Sequence, residues 1–199
     1  MDRRPATLAT VVAAVTIAGF GAGCGGGREL VGSTREPAPR VDAVALPDVS
    51  RYGEPFELRA EPGGLLVVFF GYTNCPDICP TTMSDLRHAM DELGDDASRI
   101  DVAMVTVDPA RDTDVLADYV QDFVPDAHAL ATDDAVALRA VAEPFGVSYD
   151  VQVQDGRTEV GHSSQLFAVD ETGTLLVTWS FGTSADDLAA DLRTLLPDL

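Results

Sequence analysis

The feature that most constrains the fold is the run Leu65-Leu66-Val67-Val68-Phe69-Phe70, followed at once by Gly71-Tyr72-Thr73-Asn74-Cys75-Pro76-Asp77-Ile78-Cys79-Pro80. Six apolar residues rich in Val and Phe, bounded by Gly63-Gly64 and Gly71, predict a buried strand. Beyond the cysteines, Met83, Leu86, Met90 and Leu93 recur at steps of three and four, which predicts a helix with one apolar face. Two cysteines therefore stand where a central strand hands over to a helix, and the pattern is that of an α/β domain.

Each cysteine precedes a proline, and a residue before proline is pushed out of the α region. The expected arrangement puts Pro80 at the first helical position and Cys79 at the N-cap. There the helix dipole and the free backbone N–H groups would favour a thiolate. Cys75 lies one loop earlier, close enough to share a ligand. Two such thiols have three uses: a structural disulfide, a redox-active dithiol, or a soft metal site suited to Cu(I) or Zn(II). A five-residue loop argues against the first, because the entropic benefit of a staple grows with loop length.

The chain has three histidines. His88 falls on the helix face opposite Met83, Leu86, Met90 and Leu93 and is expected in solvent. His128 follows Pro125-Asp126 and has no partner visible in the sequence. His162 leads through Ser163-Ser164 into the apolar segment Gln165-Leu166-Phe167-Ala168-Val169. Functional groups in open α/β sheets gather on loops along one edge. His162 can face the cysteines if its strand runs opposite to the central one; otherwise it is a hydrogen-bonded loop histidine.

The remaining pattern is strand, helix, strand, helix, then hairpins and a last helix. Pro55 to Arg59 reads as a short strand, and Ile100 to Val107 as a second core strand. Val115, Leu116, Tyr119, Val120 and Phe123 mark a helix, with Thr113 as its cap. A short strand is expected at His128 to Ala131, then a helix capped by Thr132-Asp133-Asp134 and ending near Glu143-Pro144. Val147–Val153 and Thr158–Val160 form a hairpin about Asp155-Gly156, and Gln165–Val169 pairs with Leu175–Trp179. Ser184, with Asp187 three residues on, opens the last helix.

The N-terminus reads differently. Arg3-Arg4, an apolar stretch from Ala6 to Phe20, and Gly21-Ala22-Gly23-Cys24 have the layout of an export signal over residues 1–23. Cys24 after small residues looks like a bacterial lipoprotein box, with Cys24 the expected lipidation site; a plain signal peptide and an uncleaved anchor are the alternatives. Lipidating it also leaves Cys75 and Cys79 as an even pair. Residues 24–45, rich in Gly, Pro and charge, are expected to be a flexible tether, with the domain at 46–199. The expected location is the outer face of a bacterial cell membrane.

Three stretches together resemble the Sco family: the Cys decapeptide, Val107-Asp108-Pro109-Ala110-Arg111-Asp112-Thr113, and His162-Ser163. The resemblance covers roughly residues 41–199. It implies a thioredoxin-like three-layer sandwich, a central mixed β-sheet flanked by helices. It also implies that Cys75, Cys79 and His162 bind copper, as Cu(I) or Cu(II), and that the chain is a metallochaperone rather than an enzyme. The recipient so implied is the copper-site subunit of cytochrome c oxidase. Cys75 and Cys79 would double as a redox disulfide, and Asp77 and Asp108 would support the ligands. With Arg111, Asp108 would shape the neighbouring loop. Asn74 and Gly161 stand where many members have His and Asp, which bears on the tuning of the site.

Net charge bounds the partners. The formal charge is -20, and every basic side chain apart from the histidines is Arg. So acidic a chain does not seek nucleic acid or anionic lipid by electrostatics. A covalent lipid would then hold it at a membrane. A competing reading is a thiol–disulfide oxidoreductase that keeps the target site's cysteines reduced. Such enzymes usually carry a cis-proline opposite the cysteines, and there is no proline between Pro144 and Pro197. A peroxidase of the peroxiredoxin type, the third reading, needs an Arg beside its Cys, and none accompanies Thr73 in the loop.

Overall fold

The structure is a computed structural model that describes residues 28–197. The expected export signal (residues 1–23) and the expected lipidation at Cys24 lie outside the described residues. Among the described residues nine strands and five α-helices follow in order: β1 (Leu46–Asp48), β2 (Glu54–Phe56), β3 (Leu65–Gly71), α1 (Ile78–Leu93), β4 (Ile100–Thr106), α2 (Pro109–Asp112), α3 (Leu116–Phe123), β5 (His128–Leu130), α4 (Ala135–Phe145), β6 (Tyr149–Gln154), β7 (Arg157–His162), β8 (Leu166–Val169), β9 (Leu175–Trp179) and α5 (Ala185–Leu195). Among the described residues no helix is long and apolar enough to cross a membrane.

Seven strands form one sheet in the order β2-β1-β5-β4-β3-β8-β9. β3, β4 and β5 are mutually parallel, whereas β8 runs antiparallel to β3 and β9 antiparallel to β8. The sheet is therefore mixed. The strand after His162 does run opposite to the central one.

All seven residues of β3 are buried, and their alternation divides the core in two. Leu65, Val67 and Phe69 pack with Met83 and Leu86 of α1, Leu116 and Val120 of α3, and Leu188 and Leu192 of α5. Leu66, Val68 and Phe70 pack with Leu138, Val141 and Phe145 of α4. A period of two in the strand meets a period near 3.6 in the helices, which produces three layers. Each fully buried large apolar side chain contributes about 1.5–3 kcal/mol.

The β6–β7 hairpin stands apart from the main sheet. Asp155 (φ 51°) and Gly156 (φ 75°) both take positive φ, as a two-residue type I′ turn requires. Ser184 caps α5 by accepting from the Asp187 N–H at 3.2 Å.

Three expectations are corrected. α1 starts at Ile78, with Asp77 at its N-cap, so Cys79 lies inside the first turn and Pro80 follows it. Proline is tolerated there because the first N–H groups of a helix have no intrahelical acceptor to lose. Thr113 does not cap α3. It follows the extra turn α2, and its hydroxyl donates to the Pro109 carbonyl at 2.8 Å, while Val115 holds the N-cap of α3.

From Arg28 onward the expected tether is a strap bound along the domain. Val31 N–H and Gly32 N–H donate to the buried Asp191 carboxylate at 3.1 and 2.9 Å, and Trp179 Nε1 donates to the same group at 2.8 Å. Ser33 and Thr178 exchange two backbone hydrogen bonds of 2.9 Å, and Leu175 N–H donates to Pro39 O at 2.9 Å. Val41 is buried. Gly32 serves close approach rather than flexibility: a Cβ there would stand 2.2 Å from Val177 Cγ1 and 2.7 Å from Trp179 Nε1. The strap covers the edge of β9, which would otherwise present unpaired N–H and C=O groups.

Candidate metal centre

The site is built where β3 ends. Gly71 is the last residue of that strand, and its missing side chain leaves space for a sulfur. A Cβ there would lie 3.2 Å from Cys79 Sγ, 3.0 Å from Met104 Cε and 2.6 Å from Phe69 Cε1. The loop then turns, and Cys79 N–H donates to Cys75 Sγ at 3.3 Å. The two thiols are free rather than bonded to each other.

His162 is the last residue of β7. The hairpin register places it opposite Tyr149, on the face that also carries Val151 and Val160. β8, antiparallel to β3, begins a few residues later, so the imidazole arrives at the strand end that carries the cysteines. His162 Nε2 lies 3.5 Å from Cys79 Sγ. His162 Nδ1 lies 2.8 Å from the Ser163 carbonyl oxygen. A carbonyl only accepts, so Nδ1 carries the proton and Nε2 keeps its lone pair facing the sulfur. The rings of Tyr72 and Phe69 meet the imidazole edge-on, at centroid distances of 5.6 and 6.2 Å.

The electrostatics of the two thiols reverse the expectation from sequence. Burial pushes the Cys79 thiol far up, and the neighbouring Cys75 sulfur adds to this. Its position in the first helical turn does not compensate, because the side chain is fully buried. For Cys75, burial also pushes upward, but it is outweighed by hydrogen bonds from the Cys79 thiol, from the backbone N–H groups of Cys79 and Asp77, and from the Tyr72 side chain. Cys75, half-buried, is the thiol held below its ordinary value. Burial likewise depresses His162, against hydrogen bonds to Ser163 and Phe70 that favour the proton. A neutral imidazole is what a metal ligand requires.

Cys75, Cys79 and His162 each offer one ligand atom, and the three atoms lie within 4.8 Å of one another. An ion about 2.3 Å from sulfur and about 2.0 Å from nitrogen in a trigonal plane needs donors roughly 3.7–4.0 Å apart. The set fits such an ion after small side-chain movement. Two thiolates and one imidazole suit copper or zinc.

The structure places the other candidates elsewhere. His88 is exposed on α1. His128 pairs with Asp48 at 2.7 Å and stacks on Phe56 at 4.1 Å, far along the sheet. Asp77 is exposed and makes no side-chain cap. Asp108 pairs with Arg111, and its N–H donates to Thr106 Oγ1 at 3.0 Å.

The residue that reasoning from sequence missed is Asp112. Its carboxylate is fully buried. It accepts from Thr73 N–H at 3.0 Å, from Thr73 Oγ1 at 2.6 Å and from Thr106 Oγ1 at 2.6 Å. It thereby ties the cysteine loop to the end of β4. The only signal in the sequence is its place in the Val107–Thr113 stretch. Tyr119, expected on the apolar face of α3, buries its hydroxyl without a hydrogen-bond partner among the described residues.

The SCO1/SenC family model matches residues 48–197. The SCO2-like protein RP587 of Rickettsia prowazekii is 30% identical over 144 residues, 70% of each chain. The apo Sco1 protein from Thermus thermophilus is 31% identical, with a TM-score of 0.72, covering 84% of this chain and 98% of that one. The copper-bound ScoI of Bradyrhizobium japonicum is 26% identical, with a TM-score of 0.64, covering 75% and 95%. The thioredoxin-like sandwich is shared with these structures, and this chain belongs to the SCO1/SenC family.

Proposed function

We propose that this chain is an exported, membrane-anchored copper carrier that holds one copper ion between Cys75, Cys79 and His162 and hands it to the copper-site subunit of cytochrome c oxidase. One observation carries the reading: three donors of the right softness converge within 4.8 Å although 83 residues separate Cys79 from His162. Family membership supports it, as does the copper held by the relative from Bradyrhizobium japonicum. The recipient rests on the family resemblance, and the anchor on Cys24 and the signal-like stretch before it.

The chain's own residues account for loading and release. Cys75 offers the more accessible sulfur with the lower proton affinity. Cys79 must lose its proton as it ligates, and His162 Nε2 is aimed at that sulfur. His162 supplies the nitrogen that Cu(II) prefers, and the sulfurs satisfy Cu(I). A recipient's thiol or imidazole can approach only from the half-buried side, at Cys75 and His162.

The test is anaerobic Cu(I) and Cu(II) titration of the reduced domain, wild type against His162→Ala. One copper per chain is expected, and His162→Ala should weaken Cu(II) far more than Cu(I). Equal loss for both ions, or none, would refute the role of His162.

The contrast between the thiols favours a second reading, reduction of a partner disulfide. The Cys75 thiolate attacks one sulfur of the partner, whose other sulfur leaves as a thiolate. The Cys79 sulfur, once deprotonated, then displaces the partner's bound sulfur. The partner gains two electrons, and Cys75 and Cys79 become a disulfide. This activity survives His162→Ala and fails in Cys75→Ser, so the same variants separate the two readings.

A further inference from the structure

The backbone of β3 leaves the sheet at Gly71, the last residue paired with β4, whose carbonyl accepts from Val107 N–H at 2.9 Å. Tyr72 is the first residue released from the ladder, and its groups turn to the site. Its carbonyl accepts from Cys75 N–H at 3.3 Å, closing the turn that carries the first cysteine. Its N–H is directed at the Cys79 sulfur. Its ring meets the His162 imidazole edge-on at 5.6 Å, with an interplanar angle of 89°. Its hydroxyl bonds to the Cys75 sulfur. One half-buried residue thus touches all three candidate ligands.

The hydroxyl is the part of this arrangement that the loop itself does not need. The backbone groups would hold the turn with another residue at position 72, and a phenylalanine ring would pack against His162 as well. Its contribution shows when the sulfurs ligate. Beforehand the Cys75 sulfur is met by the Cys79 thiol, by the backbone N–H groups of Cys79 and Asp77, and by the Tyr72 hydroxyl. The Cys79 thiol gives up its proton on binding a metal and ceases to donate. Of these two side-chain donors only Tyr72 remains, and burial keeps its phenol protonated. Hydrogen bonds around a copper-bound sulfur tune its redox balance. A donor holds charge on the sulfur, and a thiolate carries more charge beside Cu(I) than after giving density to Cu(II), so the bond favours the reduced ion.

We propose that Tyr72 is a positioning residue of the copper site, whose hydroxyl donates to the Cys75 sulfur and biases the site toward Cu(I). This rests on the copper reading above. The bias acts at the more accessible sulfur, the one a recipient's ligand meets first, and it is separable from the ring that packs against His162.

The test uses the full chain in detergent, reduced and loaded anaerobically with Cu(II) or Cu(I). Tyr72→Phe keeps the ring and removes the hydroxyl. Its sulfur-to-Cu(II) charge-transfer band should move to longer wavelength than in wild type, because the sulfur electrons are held less tightly. The ratio of Cu(I) to Cu(II) affinity, from competition with bathocuproine disulfonate and with glycine, should fall roughly tenfold, which is ~59 mV for one electron. Replacing Tyr72 by 3-fluorotyrosine, whose O–H is the stronger donor, should move both readouts the other way. That replacement retains every native atom of the contact, so the test does not depend on the Phe variant folding. A ring that is merely structural would leave band and ratio unmoved in Tyr72→Phe. An unmoved band, a ratio that rises in Tyr72→Phe, or shifts of the same sign in both variants would overturn the proposal and leave the copper reading intact. Absence of a charge-transfer band in the wild type would overturn both.

Discussion

Asp112→Ala isolates the contribution of the clamp beneath the cysteine loop. The carboxylate is 0% exposed and accepts three hydrogen bonds, two of them at 2.6 Å. Removing it leaves the Thr73 N–H and the hydroxyls of Thr73 and Thr106 without their acceptor. A buried donor left unpaired costs about 1–3 kcal/mol, and the N–H cannot rotate away as a hydroxyl can. We expect a loss of roughly 3–4 kcal/mol, a large fraction of the ~5–15 kcal/mol typical of a domain. Asp112→Asn keeps the shape and one acceptor oxygen while its amide can donate to Thr73 Oγ1, so it should cost only about 1 kcal/mol. Urea unfolding of the reduced domain, followed by the single tryptophan Trp179, which is buried, measures both. Copper titration of the folded variants then reads the loop. Because Thr73 precedes Cys75 by two residues, the Ala variant should bind copper more weakly than the Asn variant. A loss below about 1 kcal/mol for Ala, or equal losses for both, would refute the clamp.

Two further outcomes follow from the titration behaviour. Burial pushes the Asp48 carboxyl up, but the Ser50 hydroxyl, His128 and the Ala129 N–H outweigh it, so its folded pKa lies below its ordinary value. That sign means the stabilisation is present above about pH 4 and is lost as pH falls through the folded pKa; the Tm advantage of wild type over Asp48→Asn should therefore narrow as acid is added, and an advantage that widens would contradict it. The thiol contrast predicts that iodoacetamide at neutral pH modifies Cys75 on the order of tenfold or more faster than Cys79, read by peptide mass spectrometry, because the thiolate is the nucleophile; faster modification of Cys79 would show the assignment to be reversed.

Much of the fold was legible because its signals are local. The apolar run of β3, the three-and-four spacing in α1 and the Asp155-Gly156 turn each depend on a few adjacent residues. All three stand where the sequence put them. The site was legible only in part. Cys75 and Cys79 announce themselves by spacing, and His162 by the resemblance to a family, but nothing local brings His162 to 3.5 Å from Cys79. That approach depends on β8 running antiparallel to β3, which is a property of the whole sheet. Asp112, Asp48 with His128, and Asp191 with Trp179 escaped notice for the same reason. Each is a buried polar group whose partners are distant in sequence, and an isolated Asp in a list of acidic residues looks like surface.

The two errors that matter most share a cause. Residues 28–45 were read from composition, and Gly and Pro are common both in free linkers and in segments that must pass close to a side chain. Only Val177 and Trp179, far along the chain, distinguish these cases at Gly32. Cys79 was read from its place at a helix start, where the backbone favours a thiolate by a modest amount. The enclosure supplied by Gly71, Phe69 and Met104 acts in the opposite direction and is larger, as desolvation of a fully buried group shifts a pKa by several units. The sulfur that meets a partner first is therefore Cys75, and the loop that presents it is held from below by Asp112 rather than by the helix behind it.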